Sequence, residues 1–367
     1  MKIECVKDKL KEGVMMAERI AGRNLTLPIL SAILLETGNK VLIIKSTNLE
    51  AGVEIEIPAK IDEVGSVTVS AIILNNFLAN LNKEIKVQIE TINDNLQIIT
   101  ENTKTLIKSL NTEDFPIIPK ISQENGFSIN STVLAEGLKT VMFGAALSDI
   151  KPEISSVYIY NKENELFFVA TDSFRLVEKR INLEQKIKDP IVLIIPLKSV
   201  TEIIRTIDGL QTNLLVSFNK NQLAIQTDNL YLTLRIIDGA YPDYKQIIPT
   251  EFKTEVNLKK EEFLNVLKLA NVFTDKFNQI DLEVNAKTNT LEINSHNQEV
   301  GENKFSLITK ITGEPLQISF NAKYLLDCLP SINSNEIKLR FTDKNHPLLV
   351  SGLGDESFCY LVMPINK

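Results

Sequence analysis

Histidine is nearly absent from this 367-residue chain: there are two, His296 and His346, each isolated in a polar stretch. Neither a structural zinc site nor a histidine proton relay can be assembled from them. Three cysteines, Cys5, Cys328 and Cys359, stand far apart with no CxxC pair, which removes a disulfide framework as well. Cys328 falls in an apolar helical register and reads as a small core residue rather than a ligand. With 14 glycines the chain has no GxxxxGKS/T loop and no GxGxxG after a strand, so the common phosphate cradles are missing. HExxH, GxSxG and SxxK are missing too, and no metal or cofactor is expected. No apolar run reaches the roughly 18–20 residues of a membrane span, and the N-terminal MKIECVKDKL is charged where a signal peptide would be apolar. A cytoplasmic protein without membrane association is therefore expected. Basic excess is lacking: 40 Lys and Arg against 47 Asp and Glu give a net charge of −7. That argues against nucleic-acid binding by bulk charge and leaves room only for a local basic surface.

What the chain does have is an ordinary globular composition, 44% hydrophobic and 24% charged, and a long internal repeat. In Ile191–Ile207 an apolar β-branched run stops at Pro196, and Val200, Ile203, Ile204 and Ile207 follow at helical spacing. The same strand-into-helix unit occurs at Val67–Val69 with Leu74, Phe77, Leu78 and Leu81, and at Leu316–Phe320 with Leu325, Cys328, Leu329 and Ile332. These quartets begin 126 and 125 residues apart. A second set, Leu10/Gly13/Val14/Ala17, Leu134/Gly137/Leu138/Val141 and Phe263/Val266/Leu267/Ala270, starts 124 and 129 residues apart. A period this long means tandem domains, each holding two helices among many strands. The expected fold class is α+β, with both helices of each domain on one side of antiparallel sheets. Boundaries fall at 1–122, 127–249 and 253–367, where Phe115-Pro116-Ile117-Ile118-Pro119 and Tyr241-Pro242-Asp243-Tyr244 followed by Ile247-Ile248-Pro249 read as ring-packing linkers.

Finer elements follow from local signals. Lys7–Ala21 and the stretch around Leu134–Ala145 are expected helices, Glu54–Ile57 a strand, and Ile85–Glu90, Leu96–Thr100 and Thr105–Leu110 three more. Asn93-Asp94-Asn95 and Asn219–Asn221 read as tight hairpin turns, because Asn and Asp tolerate left-handed backbone. Among the carboxylates Asp172, flanked by Thr171 and Arg175, is the best candidate for an acid, against the plainer reading of a turn residue accepting backbone N–H bonds.

Ala170-Thr171-Asp172-Ser173-Phe174-Arg175-Leu176, Tyr241-Pro242-Asp243-Tyr244 and Val362-Met363-Pro364 occur together, with Leu27-Pro28-Ile29-Leu30, Asp114-Phe115-Pro116 and Phe320-Asn321-Ala322-Lys323-Tyr324 in order. Over its whole length the chain resembles the bacterial DNA polymerase III β subunit family, the sliding clamps. The resemblance implies three DNA-clamp domains per chain and a head-to-tail homodimer closed into a ring around double-stranded DNA, with helices lining the hole. It implies a processivity factor without catalytic activity, opened by an ATP-driven clamp loader. Its partners would be the polymerase III α subunit and the other polymerases and repair proteins that carry clamp-binding peptides.

By the same resemblance, the partner-peptide pocket comprises Ile154, Thr171, Ser173, Phe174, Arg175, Leu176, Pro242, Ile247, Val362, Met363, Pro364 and Ile365, adjoined by Asn321 and Tyr324. Apolar walls and a flexible Met suit Leu and Phe anchors, with Arg175 orienting backbone or acidic groups; Leu176, Val362 and Pro242 also fit a plain core reading. Arg23, Lys198 and Arg205, with Lys139, are the DNA-facing candidates. At the dimer interface Leu106 and Ile107 of strand Thr105–Leu110 would meet Val272 and Phe273, residues that otherwise read as intrachain core. Ser173-Phe174 stands where the family has Gly-His, Gln246 where it often has Arg, and Pro152-Glu153 where it has an aromatic pair. Two other readings remain: a hydrolase-like enzyme centred on Asp172 and Arg175, and a DNA-binding scaffold without ring topology.

Overall fold

The protein's structure, a computed structural model, describes residues 1–22, 27–81, 85–122, 126–183, 187 and 190–365. Among the described residues six helices of at least seven residues hold the quartets, apart from Leu81, Leu329 and Ile332, which follow their helices: α1 (Lys7–Ile20), α2 (Ala71–Asn80), α3 (Ser131–Val141), α4 (Leu197–Ile207), α5 (Lys260–Val272) and α6 (Ala322–Cys328). Every quartet residue is buried except Phe77 and Ile204, which are half-buried. Each helix is entered directly from a strand, the six being Lys2–Val6, Ser66–Ser70, Gly126–Asn130, Val192–Pro196, Thr254–Lys259 and Leu316–Asn321. Where the last strand residue is Ser70 or Asn321, its side chain accepts hydrogen bonds from the first helical N–H groups, which caps the helix. Glycine in two quartets has a packing cause. A Cβ on Gly13 would lie 2.7 Å from Ile44 and one on Gly137 2.4 Å from the Phe168 ring, so a larger residue at either place would force those side chains to shift.

Contacts divide the chain into two compact units. The first comprises 1–135 and 201–238, the second 136–200 and 239–367, so the middle third is shared between them. In the first unit, α1 packs on α2 and both cover a thirteen-stranded sheet. Its long strand Ala51–Glu63 pairs antiparallel with Val41–Thr47, Lys2–Val6 and the much later Leu230–Arg235. In the second unit, α5 packs on α6 beside a four-stranded sheet, and a nine-stranded sheet joins Arg175–Asn182 to the C-terminal strand Phe358–Val362. The α+β class and its antiparallel sheets are as expected.

Several local expectations need adjustment. The Asn-rich hairpin has a two-residue loop: Asn93 and Asp94 have φ of 47° and 62°, and Asn95 already pairs with Ile92. Thr105–Leu110 is two strands, Lys104–Ile107 at the edge beside Asn95–Ile99 and Ser109–Leu110 against Ser66–Ser70, because the chain leaves one ladder for another at Lys108. The last helix is shorter than its quartet, since Pro330 cannot donate to an α-helical ladder and Leu329–Ser331 forms a 3-10 turn. In the first linker it is Ile118, rather than the ring of Phe115, that is buried, with Ala224 and Tyr231 around it.

Candidate partner-docking site

In the second unit, strand Glu165–Thr171 turns into Arg175–Asn182 through Asp172-Ser173-Phe174. Thr171 Oγ1 donates to the Arg175 carbonyl at 2.7 Å and accepts from the Ser173 N–H at 3.2 Å. Asp172 Oδ1 accepts from the N–H groups of Phe174 and Arg175, both at 2.9 Å. Ser173 consequently sits at φ 79°, a region where a glycine is free of strain. The plainer reading of Asp172 is therefore correct: its Oδ1 holds the turn by accepting backbone N–H groups.

The guanidinium of Arg175 is committed on two sides. Nε donates to Asp172 Oδ2 at 2.8 Å and Nη1 to Asp327 Oδ2 at 2.6 Å, while the group lies 4.4 Å from the centre of the Tyr324 ring and 5.7 Å from that of Phe143. Burial works against its charge, but the bonds it donates to the Asp327 and Asp172 carboxylates help outweigh that cost and the pKa is raised. Tyr324 is itself held from below, its carbonyl accepting from the Tyr360 hydroxyl at 2.8 Å. Burial pushes that Tyr360 hydroxyl well above its ordinary pKa, so it remains a donor at neutral pH.

Two further segments complete the site. Arg175 pairs with Val362 in the ladder, the Met363 N–H donates to the Phe174 carbonyl at 2.8 Å, and the Ile365 N–H donates to the Ser319 carbonyl at 2.8 Å. The linker is tied down by Tyr244, whose hydroxyl lies 2.8 Å from that of Tyr160 and donates to Glu178 Oε2; Tyr241 stacks on Tyr158 with centroids 4.7 Å apart. Burial, followed by the charge of Glu178, raises the pKa of Tyr244 and keeps the hydroxyl protonated. This packing places Tyr244, Leu176, Leu361 and Leu349 in one core cluster.

The expected pocket residues thus divide by exposure. Thr171, Leu176 and Val362 are buried; Ile154, Arg175, Asn321, Tyr324, Pro364 and Ile365 are half-buried; Ser173, Phe174, Pro242, Ile247 and Met363 are exposed. Phe174, Ile247 and Met363 are 62%, 49% and 37% exposed, large apolar side chains that the fold leaves uncovered. Asn321 caps α6 and also donates to the Phe277 carbonyl at 3.1 Å. Sequence reasoning missed Phe143, Asp327 and Tyr360, which support Arg175 from distant parts of the chain.

Elsewhere, Arg205 is exposed on α4, bonded through Nη1 to Glu202 at 3.2 Å, and its carbonyl accepts from Arg19 Nη1 of α1 at 3.3 Å. The two arginines border a cavity of about 240 Å³ with Glu18, Gly22, Ser31 and Ile72. Lys139 and Lys198 are exposed, and Arg23 lies outside the described residues. Ile107 is buried in its own sheet while Leu106 is 51% exposed; Val272 is 62% exposed and Phe273 half-buried. The strand Gly301–Ile308, which sequence reasoning did not single out, forms one edge of the four-stranded sheet.

The DNA polymerase III beta subunit family matches the chain in three consecutive pieces, its N-terminal domain over residues 1–119, its central domain over 128–243 and its C-terminal domain over 245–366. The beta sliding clamp of Synechococcus elongatus is 26% identical over all of this chain and 99% of its own length, and that of Bacillus subtilis 27% identical over the whole of both. Among solved structures, the DNA polymerase sliding clamp from Bacillus subtilis superposes with a TM-score of 0.95 at 26% identity, covering 100% of this chain and 99% of that one. The DNA polymerase III beta subunit from Thermotoga maritima gives 0.92 at 25% identity with the same coverage. The chain belongs to the DNA polymerase III beta subunit family.

Proposed function

We propose that this protein is a DNA sliding clamp, the non-catalytic processivity subunit that encircles duplex DNA and tethers the replicative polymerase. The full-length similarity to sliding clamps, through three consecutive domains, carries this reading. The domains proposed are 1–122, 127–249 and 253–367, two chains closing head to tail into a ring. Lys104–Ile107, with exposed Lys104 and Lys108 around Leu106, would meet the edge Gly301–Ile308 of a second copy, flanked by exposed Glu299 and Glu302, with Val272 and Phe273 beside it. An open edge needs a partner, and opposite charges select this one. Arg205, Lys198, Lys139 and Arg23 would face the DNA. An acidic molecule with a few basic side chains on its inner helices holds phosphates weakly, which suits sliding.

The groove around Phe174, Arg175, Ile247 and Met363 would take extended peptides with Leu and Phe anchors from the polymerase α subunit, the clamp loader and repair proteins. Among the described residues no helix is long and apolar enough to cross a membrane, and a cytoplasmic location is proposed with replication as its setting. The test is retention on nicked circular DNA after loading by a clamp loader with ATP. Retention through a high-salt wash that ends when the circle is cut is the expected result. Release in the salt wash, with a loader proven on a control clamp, would mean ordinary contact binding.

A further inference from the structure

The turn that carries Arg175 occurs twice in this chain. In the first unit, Thr47-Asn48-Leu49-Glu50-Ala51 repeats Thr171-Asp172-Ser173-Phe174-Arg175 bond for bond. Thr47 Oγ1 donates to the Ala51 carbonyl at 2.8 Å and accepts from the Leu49 N–H at 3.1 Å. Asn48 Oδ1 accepts from Glu50 N–H at 3.0 Å and Ala51 N–H at 2.7 Å. Leu49 has φ 74° where Ser173 has 79°, and the Arg235 N–H donates to the Glu50 carbonyl at the same 2.8 Å as Met363 to Phe174. Backbone and hydrogen bonds are conserved between the two copies, so the side chains that differ are not required by the turn.

The differences fall together. Where the second copy has a carboxylate at Asp172 it has a guanidinium at Arg175; where the first has the neutral amide of Asn48 it has Ala51. The turn uses only Oδ1, which either side chain supplies, and this leaves Oδ2 of Asp172 for Arg175 Nε. With asparagine at 172 an amide N–H₂ would face that Nε–H, two donors without an acceptor, in a place where the arginine side chain is only 10% exposed. Asp327, 47% exposed, would then hold the guanidinium alone and from the solvent side.

We propose that Asp172 is a positioning residue for partner binding: its second carboxylate oxygen fixes the Arg175 guanidinium over Tyr324 as a rigid wall of the groove, a task separate from holding the turn. The inference rests on the peptide-groove reading above. Its test compares full-length wild type, Asp172→Asn, Arg175→Ala and the double variant, with a fluorescein-labelled synthetic peptide bearing Leu and Phe anchors, by fluorescence polarisation. Hydrogen exchange at the amides of Phe174 and Arg175 is followed in parallel. Asp172→Asn should leave both amides protected and weaken the peptide about tenfold, the loss of one charge-assisted bond. In the Arg175→Ala background the same change should have no further effect, a coupling that a purely structural role would not produce. Wild-type affinity in Asp172→Asn, loss of amide protection, or additive effects would each overturn the proposal. Failure of the wild type itself to bind the peptide would instead reject the groove, and the proposal with it.

Discussion

Ser173 shows what the Thr171–Arg175 turn costs. At φ 79° a side chain crowds its own carbonyl, and the strain is of order 1 kcal/mol. Ser173→Gly should remove it and raise the urea midpoint by the equivalent of about 0.5 kcal/mol, part of the gain being lost to the freer unfolded chain. A lower midpoint would mean that the Ser173 side chain makes a contribution the turn geometry does not reveal. The role of Asp172 was legible in sequence because an Asx turn is local: acceptor and donors lie within three residues. Its other partner was not. Arg175 meets Asp327 across 152 residues of chain, and no periodicity or spacing announces such a pair.

Among the elements, helices were read well and edges poorly. A helix announces itself by four apolar residues on one face, and those faces are buried, Phe77 and Ile204 only in part. The edge strand Gly301–Ile308 alternates only between exposed and half-buried positions and begins Gly-Glu-Asn-Lys, so its sequence carries little of the contrast by which a strand is recognised. The break at Lys108 was equally silent, because Lys104–Leu110 has no Gly or Pro to mark it. Edges matter for assembly. Leu106, exposed on Lys104–Ile107, should be dispensable for the fold of a single chain, and Leu106→Asp should weaken the proposed dimer by about 2 kcal/mol or more. Sedimentation would detect this as a shift toward monomer, whereas an unshifted dimer would remove this strand from the interface.

At the scale of the whole molecule, buried and half-buried thiols set an alkaline limit on stability. Burial pushes Cys5 and Cys359, one in each unit, from 9.0 up to about 12. Below the unfolded value both states are protonated and nothing is lost. As pH rises from 9.0 toward about 12 the unfolded chain releases protons that the folded one keeps, and stability falls. Urea midpoints should therefore decline between about pH 8 and pH 10 by about 1 kcal/mol per thiol, and replacing Cys5 with Ala should flatten that slope. A slope unchanged in the Cys5→Ala variant would assign the decline to other groups, such as the buried tyrosines.

The ladder between Ala51–Glu63 and Leu230–Arg235 has a further consequence, for how the chain is made. Translation delivers Ala51 long before Leu230, and Arg175 long before Phe358. A nascent chain can complete its early hairpins and helices, yet each large sheet keeps one raw margin until a strand from much later in the message arrives. Synthesis thus includes two intervals in which a half-finished sheet must be shielded from other nascent chains. The two waits are of nearly equal length, that for Phe358–Val362 being slightly the longer.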